Sequence, residues 1–344
     1  VDIEQASELI AYLKSRGHGE PAGIEVLAGG VSNRTVLVRW PNGEAWVMKQ
    51  ALAKLRVKAD WFSDPVRMHR EALGLKWMGQ LLPGPSTLRQ AQGSGLGASP
   101  ALIFEDEAHH ILAMQAVPQP HDNWKAMLLR GDLQEDHVAQ FANLLAGMQR
   151  NALSCGDEIA AVFDDRAFFE TLRLEPYFAY TATQAPQAAP FMHALIERTR
   201  ENRLALVHGD YSPKNVLVHA GRLVLLDYEV IHWGDPAFDA GFSMTHLLSK
   251  AHHVESHRAA FKHAAHVYWQ TYFAQVAGVF GDLETRSVHC TLGCLLARVD
   301  GRSPLEYLSE TERDRQRSAV LSLMVAPPAT MPALIDAFVA RIQT

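Results

Sequence analysis

Asp210 and Asn215 stand five residues apart in the string His208-Gly209-Asp210-Tyr211-Ser212-Pro213-Lys214-Asn215. Asp227 follows twelve residues after Asn215, at the end of the apolar run Leu223-Val224-Leu225-Leu226. A carboxylate and an amide in one tight loop can set a base beside a metal ligand. A second carboxylate leaving a strand can hold the same cation from another side. Phosphoryl transfer needs that layout, because the protein supplies a positioned hydroxyl and neutralised phosphate charge rather than covalent chemistry. A lone Asp in a loop is most often a turn or cap residue. The full string, its flanking strands and the later Asp together point to catalysis. Glu229, two residues beyond Asp227, has two readings: a second carboxylate on the same cation, directly or through water, or an acid on a surface loop.

These residues must be positioned by elements legible in the pattern around them. Apolar spacing predicts a helix over residues 3–13 and a strand over 24–27. Runs at 35–40 and 44–50 flank Pro41-Asn42-Gly43, a hairpin signal. Asp64-Pro65 opens a helix to about residue 80, since Asp can cap it and Pro fits its first turn. A second hairpin is expected from 101–105 and 111–117. Pro118 and Pro120 then break regular structure, and the rest reads as helix apart from short strands at 207–210, 216–219 and 223–226. The pattern describes a small β-rich lobe over residues 1–117, with one key helix, and a larger, mainly helical lobe over 118–344. The fold class is α+β.

The catalytic string resembles that of the aminoglycoside phosphotransferase and choline kinase group, small-molecule kinases with a protein-kinase-like bilobal fold. Motifs carry the resemblance over residues 23 to 249. It implies that Asp210 accepts the proton of the substrate hydroxyl, and that Asn215 and Asp227 hold magnesium on the nucleotide phosphates. His208 would be a structural part of the loop, and Asp239 would support it through hydrogen bonds, with Asp235 capping a helix. Asp227-Tyr228-Glu229 departs from the Asp-x-Gly or Asp-x-Asp of many relatives and looks more like choline kinases and methylthioribose kinases.

Kinase chemistry calls for further groups in the small lobe. Lys49, in Trp46-Val47-Met48-Lys49-Gln50, can reach the α- and β-phosphates, and Glu71 on the following helix can pair with it. The turn Gly29-Gly30-Val31-Ser32-Asn33 occupies the place of the phosphate-covering loop. Its glycines let backbone approach phosphate, and Ser32 and Asn33 can donate hydrogen bonds. The strand ending near Val117 should form the adenine edge through backbone groups of Gln115 and Val117. Side chains there select neither ATP nor GTP.

The group builds acceptor sites from C-terminal helices, which makes Arg298 and Asp300 substrate candidates against a plain helix end with Gly301 as left-handed cap. Three cysteines and 17 histidines offer no zinc spacing, and Cys290 and Cys294 are expected as buried helix residues. A formal net charge of −6 without a basic run argues against nucleic acid. No stretch approaches a membrane span, and no signal peptide is read at the N-terminus, so the expectation is a cytoplasmic protein. The leading functional reading is an ATP- and Mg-dependent kinase of a small hydroxylated metabolite (sugar, thiosugar or amino alcohol). Antibiotic inactivation and a catalytically silent nucleotide-binding module are the alternatives.

Overall fold

Strand β1 (Gly23–Val26), β2 (Asn33–Arg39), β3 (Ala45–Ala51), β4 (Leu102–Asp106) and β5 (Ile111–Gln115) form an antiparallel sheet in the order β1-β2-β3-β5-β4. The computed structural model describes residues 1–27, 32–56, 61–82 and 98–343. The chain divides into two units, Val1–Gln119 with Val224–Glu229, and Pro120–Leu223 with Val230–Thr344. In the first, helix α1 (Ala6–Ser15) lays Leu9, Tyr12 and Leu13 on Val36, Val38, Met48, Ile111 and Ala113 of the sheet. Side chains alternate along a strand, so Met48 facing α1 sends Lys49 to the opposite face. There it sits opposite Thr35 on β2 and Leu112 on β5. Helix α2 (Arg67–Leu81) buries Met68, Ala72, Leu75 and Met78. The helix begins at Arg67, past the expected Asp64-Pro65 start: Val66 is its N-cap without a side-chain cap, and the Asp64 carboxylate accepts the Val66 N–H at 3.0 Å in the turn before it. The β2–β3 turn uses Gly43 at φ 88, the left-handed conformation that Gly adopts at least cost.

The second unit is mainly helical. Helices α3 (Trp124–Leu129), α4 (Glu135–Ser154), α5 (Gly156–Val162) and α6 (Ala167–Phe169) lead into a π-helical segment, Glu170–Ala179, and then α7 (Tyr180–Gln184) and α8 (Ala189–Glu201). Pro176 lies inside that segment and has no N–H to give to the helix ladder, a cause of local rewinding. Four short strands come next in chain order or close by: β6 (His121–Asn123) pairs antiparallel with β8 (Val216–His219), and β10 (His232–Gly234) with β7 (Ala205–Val207). A turn with Ala220 at φ 48 and Gly221 at φ 73 leads from β8 to β9 (Arg222–Leu225). Of these, β6, β7 and β10 carry too few residues to show a period.

Helix α9 (Pro236–His253) is buried from Pro236 to His252, as expected of a helix at the centre of a core rather than on its edge. Around it stand α10 (Arg258–Val276), α11 (Leu283–Asp300), α12 (Glu310–Val325) and α13 (Met331–Arg341). The cysteines at 290 and 294 are free and buried. A local expectation fails here. Gly301 is extended, at φ −79 and ψ 177, not left-handed; its missing Cβ is needed because one would collide with the Ala297 carbonyl. The next helix starts at Glu310, where Ser309 and Glu312 form a reciprocal capping box.

The α9–α11 contact rests on Gly241. A Cβ at 241 would lie 2.6 Å from Cys290 Cβ and 2.7 Å from the Thr291 backbone nitrogen. A Cβ at Gly293 would instead meet the end of the Leu195 side chain, which can turn away. We expect Gly241→Ala to cost about 1–3 kcal/mol by overpacking and Gly293→Ala clearly less; the two thermal midpoints, measured side by side, check this.

Candidate active site

In the first unit, five charged side chains meet where water is largely excluded. Lys49 Nζ lies 2.6 Å from Glu71 Oε1 and 2.9 Å from Asp227 Oδ1. Glu71 is fully buried, and its Oε2 has no hydrogen-bond partner. Burial alone would pull the Lys49 ammonium's pKa down, but Asp227 and Glu71 outweigh it and hold it above its usual value. Burial pushes the Glu71 carboxyl up, with Lys49 opposing. Asp227 adopts φ 72, a conformation uncommon outside glycine and tolerated by Asp.

Glu229 is not a surface acid. It is 7% exposed and is held by Arg67, whose Nε lies 3.1 Å from Glu229 Oε2, and by Asn33 Nδ2 at 3.4 Å. One oxygen from each of Glu71, Asp227 and Glu229 can be chosen so that all lie within 4.8 Å of one another. Arg67 is itself fully buried. It donates to the carbonyls of Ser63 at 3.1 Å, Asp64 at 3.2 Å and Leu52 at 2.9 Å, and to Ser32. It thus ties the backbone at Ser32 and the start of α2 to Glu229. Gly29 and Gly30 lie outside the described residues. The Gln115 N–H donates to the Ala101 carbonyl at 2.9 Å, and Val117 is buried just beyond the end of β5.

In the second unit, the loop after β7 is held from beneath by Asp239. This carboxylate, at the first turn of α9, accepts the N–H groups of His208 at 2.6 Å and Gly209 at 2.9 Å. Its burial is complete and pushes its pKa up to about 7, against those two donors. Gly209 has φ 76, and a Cβ there would lie 2.8 Å from the Val230 carbonyl, so only glycine fits. His208 Nδ1 accepts the Asp210 N–H at 3.2 Å. Tyr211 stacks on Phe141 at 4.3 Å and donates to its carbonyl at 2.7 Å. Asp235 caps α9 through the Ala237 N–H at 2.9 Å and pairs with Arg286.

The Asp210 carboxylate emerges from this frame with three donors on Oδ2. Asn215 Nδ2 lies at 2.8 Å, Arg173 Nη2 at 3.0 Å and Lys214 Nζ at 3.5 Å. Arg173 also donates to the Gly209 carbonyl at 2.7 Å. Asn215 further binds the Asp210 carbonyl at 3.0 Å through the same nitrogen, which directs its amide oxygen elsewhere.

Arg298 and Asp300 part company. Asp300 receives a bidentate fork from Arg317, Nε to Oδ2 at 2.9 Å and Nη2 to Oδ1 at 2.6 Å, which fastens the end of α11 to α12. Arg298 turns the other way, donating to Tyr177 Oη at 3.1 Å and to the Ser303 carbonyl at 2.6 Å. Near it lies Lys250, fully buried, which no sequence reading had singled out. Arg67 and Arg173 were missed as well. For Arg67 a signal existed, since it precedes Glu71 by one helical turn on the face that carries Met78. Nothing local announces its partner 162 residues away.

Removing Arg67 would strand Glu229. We expect Arg67→Ala to destabilise by about 3–5 kcal/mol, and Arg67→Met combined with Glu229→Gln to recover most of it, as read by denaturant unfolding. Lys250 gives a pH test. Burial, reinforced by Lys125 and Arg298 and opposed by Glu306, lowers its pKa from 10.5 to about 7. The folded state therefore binds fewer protons than the unfolded chain between those values, so this group's penalty is full below pH 7 and fades as pH rises to 10.5. Lys250→Met should exceed wild type in thermal midpoint at pH 7, with the gap closing by pH 10.

Among solved structures, the chain resembles a choline/ethanolamine kinase family protein from Mesorhizobium loti at 14% identity and TM-score 0.53, covering 99% of this chain and 98% of that one. It also resembles amicoumacin kinase hAmiN in complex with AMP-PNP, Ca2+ and Ami, at 12% identity and TM-score 0.57, covering 95% and 96%. A third is the macrolide 2'-phosphotransferase MphH from Brachybacterium faecium, at 15% identity and TM-score 0.50, covering 94% and 99%. No curated protein sequence matches. The α+β, protein-kinase-like fold is shared with these structures. Residues 23–279 match the APH phosphotransferase enzyme family; the chain belongs to that family and is a phosphotransferase with an alcohol group as acceptor.

Proposed function

We propose that the protein transfers the γ-phosphoryl group of ATP, with magnesium, to a hydroxyl of a small metabolite, and that Asp210 is the base. The observation that carries the reading is the buried Lys49, shared between Glu71 at 2.6 Å and Asp227 at 2.9 Å. An ammonium held rigid in that way is suited to phosphate oxygens. The nucleotide analogue and divalent ion named for the amicoumacin kinase structure support the same chemistry.

The residues also fit a divalent cation. Lys49 and Arg67 bring two positive charges to the first unit's cluster, against three carboxylates, Glu71, Asp227 and Glu229. The excess is negative, the donors are hard oxygens, and Glu71 Oε2 is buried without a partner. Magnesium favours such ligands. Asp227 would hold it, with Glu229 near that carboxylate, and the family resemblance assigns Asn215 to the same ion. When bound, it neutralises charge on the phosphate oxygens.

The protein's own groups do the rest. Lys49 binds the α- and β-phosphates, and Glu71 keeps it aimed. Ser32 and Asn33 donate to the phosphates, while Gln115 and Val117 offer backbone groups to the base. The acceptor oxygen forms a bond to the γ-phosphorus as the bond to the β-phosphate oxygen breaks. Asp210 takes the acceptor's proton, and ADP leaves. Asn215 and Arg173 keep the Asp210 carboxylate in one orientation, and Asp239, through the N–H groups of His208 and Gly209, keeps the loop in place.

Magnesium-dependent ATP consumption, measured over sugars, thiosugars, amino alcohols, hydroxy acids and aminoglycosides, tests this. We expect turnover with one acceptor class. Asp210→Asn should lower kcat by about 10²–10⁴-fold, the range of a lost general base, with the ATP dissociation constant little changed. Lys49→Met should instead weaken ATP binding. Absence of any magnesium–ATP binding would refute the kinase reading, while binding without turnover in either form would favour the silent module.

A further inference from the structure

A second group of cations, wholly within the second unit, has a single acid at its edge, Glu306, which pairs with Lys125. Phe242, His246 and Lys250 follow one another at four-residue spacing on α9 and so share a face. Lys250 is fully buried, and its ammonium donates to the His246 carbonyl at 3.3 Å. Its ammonium lies 5.6 Å from the centre of the Tyr307 ring, and that of Lys125, from α3, lies 5.9 Å from the same ring. Arg298, from α11, is 9% exposed and lies 5.9 Å from the Phe242 ring. Four elements thus converge: α3, α9, α11 and the 301–309 connection.

Glu306 pairs with Lys125, and Asp300 is committed to Arg317. Among the described residues, no carboxylate lies within ion-pair distance of Lys250 or Arg298. Three polar atoms here are buried and lack a partner: His246 Nε2, Arg298 Nε and Tyr307 Oη. His246 and Arg298 are each at least nine-tenths buried. A buried charge without a partner costs several kcal/mol in order of magnitude, and an unpaired buried donor costs about 1–3 kcal/mol. Such costs clustered on one spot are met when an anion with several acceptor oxygens binds.

The cluster adjoins the catalytic loop. Tyr177 has the Arg173 guanidinium 5.6 Å from its ring centre and that of Arg298 at 5.5 Å. Arg173 in turn holds Asp210 at 3.0 Å. Tyr177, which accepts from Arg298 at 3.1 Å, therefore stands between the partner of the proposed base and the two cations that have no acid within ion-pair distance.

We propose that Lys250, Arg298 and His246, with Lys125 and Tyr307 at the margin, form an acceptor subsite for an oxyanion, a carboxylate or a phosphate monoester carried by the hydroxylated substrate. This rests on the kinase reading for its role and names the substrate class: an acidic alcohol, in place of an amino alcohol or aminoglycoside. A cationic acceptor would add like charge to this site.

The test separates the subsite from the kinase reading. Nucleotide-free protein is titrated with inorganic phosphate, glycerate, glycerol 3-phosphate, glycerol and choline at constant ionic strength, by calorimetry and thermal shift. Wild type should bind glycerate or glycerol 3-phosphate saturably, and glycerol and choline far more weakly. Lys250→Met, a buried replacement of similar length, should weaken that anion binding about tenfold or more, the worth of one charge-assisted hydrogen bond. Lys125→Met, at a partly exposed residue, should weaken it by a smaller factor. Inorganic phosphate binding alone, unchanged in Lys250→Met, would place the anion elsewhere and overturn the proposal. So would tighter binding of choline or glycerol, or no saturable binding of any anion. Magnesium–ATP binding, measured on the same samples, reports on the kinase reading separately: anion binding lost in Lys250→Met but no ATP binding would leave the subsite and remove the kinase, and the reverse pattern would do the opposite.

Discussion

A carboxylate taken wholly out of water must be hydrogen-bonded or paired, and Asp239 meets that demand with backbone. Its two oxygens accept the N–H groups of His208 and Gly209, donors that the end of β7 leaves without a strand partner. The consequence is reciprocal. The loop has a fixed path because Asp239 is buried beneath it, and Asp239 can be buried because the loop turns its donors inward. Gly209, with φ 76 and the Val230 carbonyl close behind, makes that turn possible. Asp210 then leaves a backbone with no freedom to drift, and Asn215 and Arg173 fix its side chain. Each depends on the first turn of α9, the most buried helix of its unit.

The first unit solves a different problem by a related route. Its cluster gathers Lys49, Arg67, Glu71, Asp227 and Glu229, and most of that charge is shielded from water. The arrangement persists because every charge has an opposite neighbour, with one negative charge in excess. Alternation along β3 brings Lys49 to the α2 face while Met48 enters the apolar layer against α1. One strand therefore serves both core and site, and a shift of register by one residue would exchange the two.

The contrast between the two cation groups is instructive. Arg67 is as buried as Lys250, yet it has a carboxylate and several carbonyls around it, so its charge is resolved within the chain. Lys250 has one carbonyl, the Tyr307 ring and the cations Lys125 and Arg298 around it, and Glu306, the acid that opposes them, is paired with Lys125. Burial alone distinguishes nothing; the partners do. The fold is retained at 12–15% identity to its structural neighbours, and a shared fold leaves individual inward positions such as Lys250 free to differ.

What the sequence determined by itself was local. The Asp210–Asn215 spacing, the alternation that turns Lys49 away from Met48, the Asp64-Pro65 turn ahead of α2 and the Asp235 cap depend on neighbours within a few residues, and a linear string records those. Tertiary structure decided whatever needed a distant partner. It showed that Glu229 is a buried acid held by Arg67, that Arg173 from a π-helical segment touches Asp210, that Asp300 belongs to Arg317, and that Arg298 and Lys250 have no acid of their own. Gly301 follows the same division: its extended backbone and its close approach to Ala297 come from how the end of α11 is packed, where a left-handed cap was the local expectation. Charge pairing and close packing act through space between residues far apart in the chain, and their outcome exists only once the helices have closed around one another.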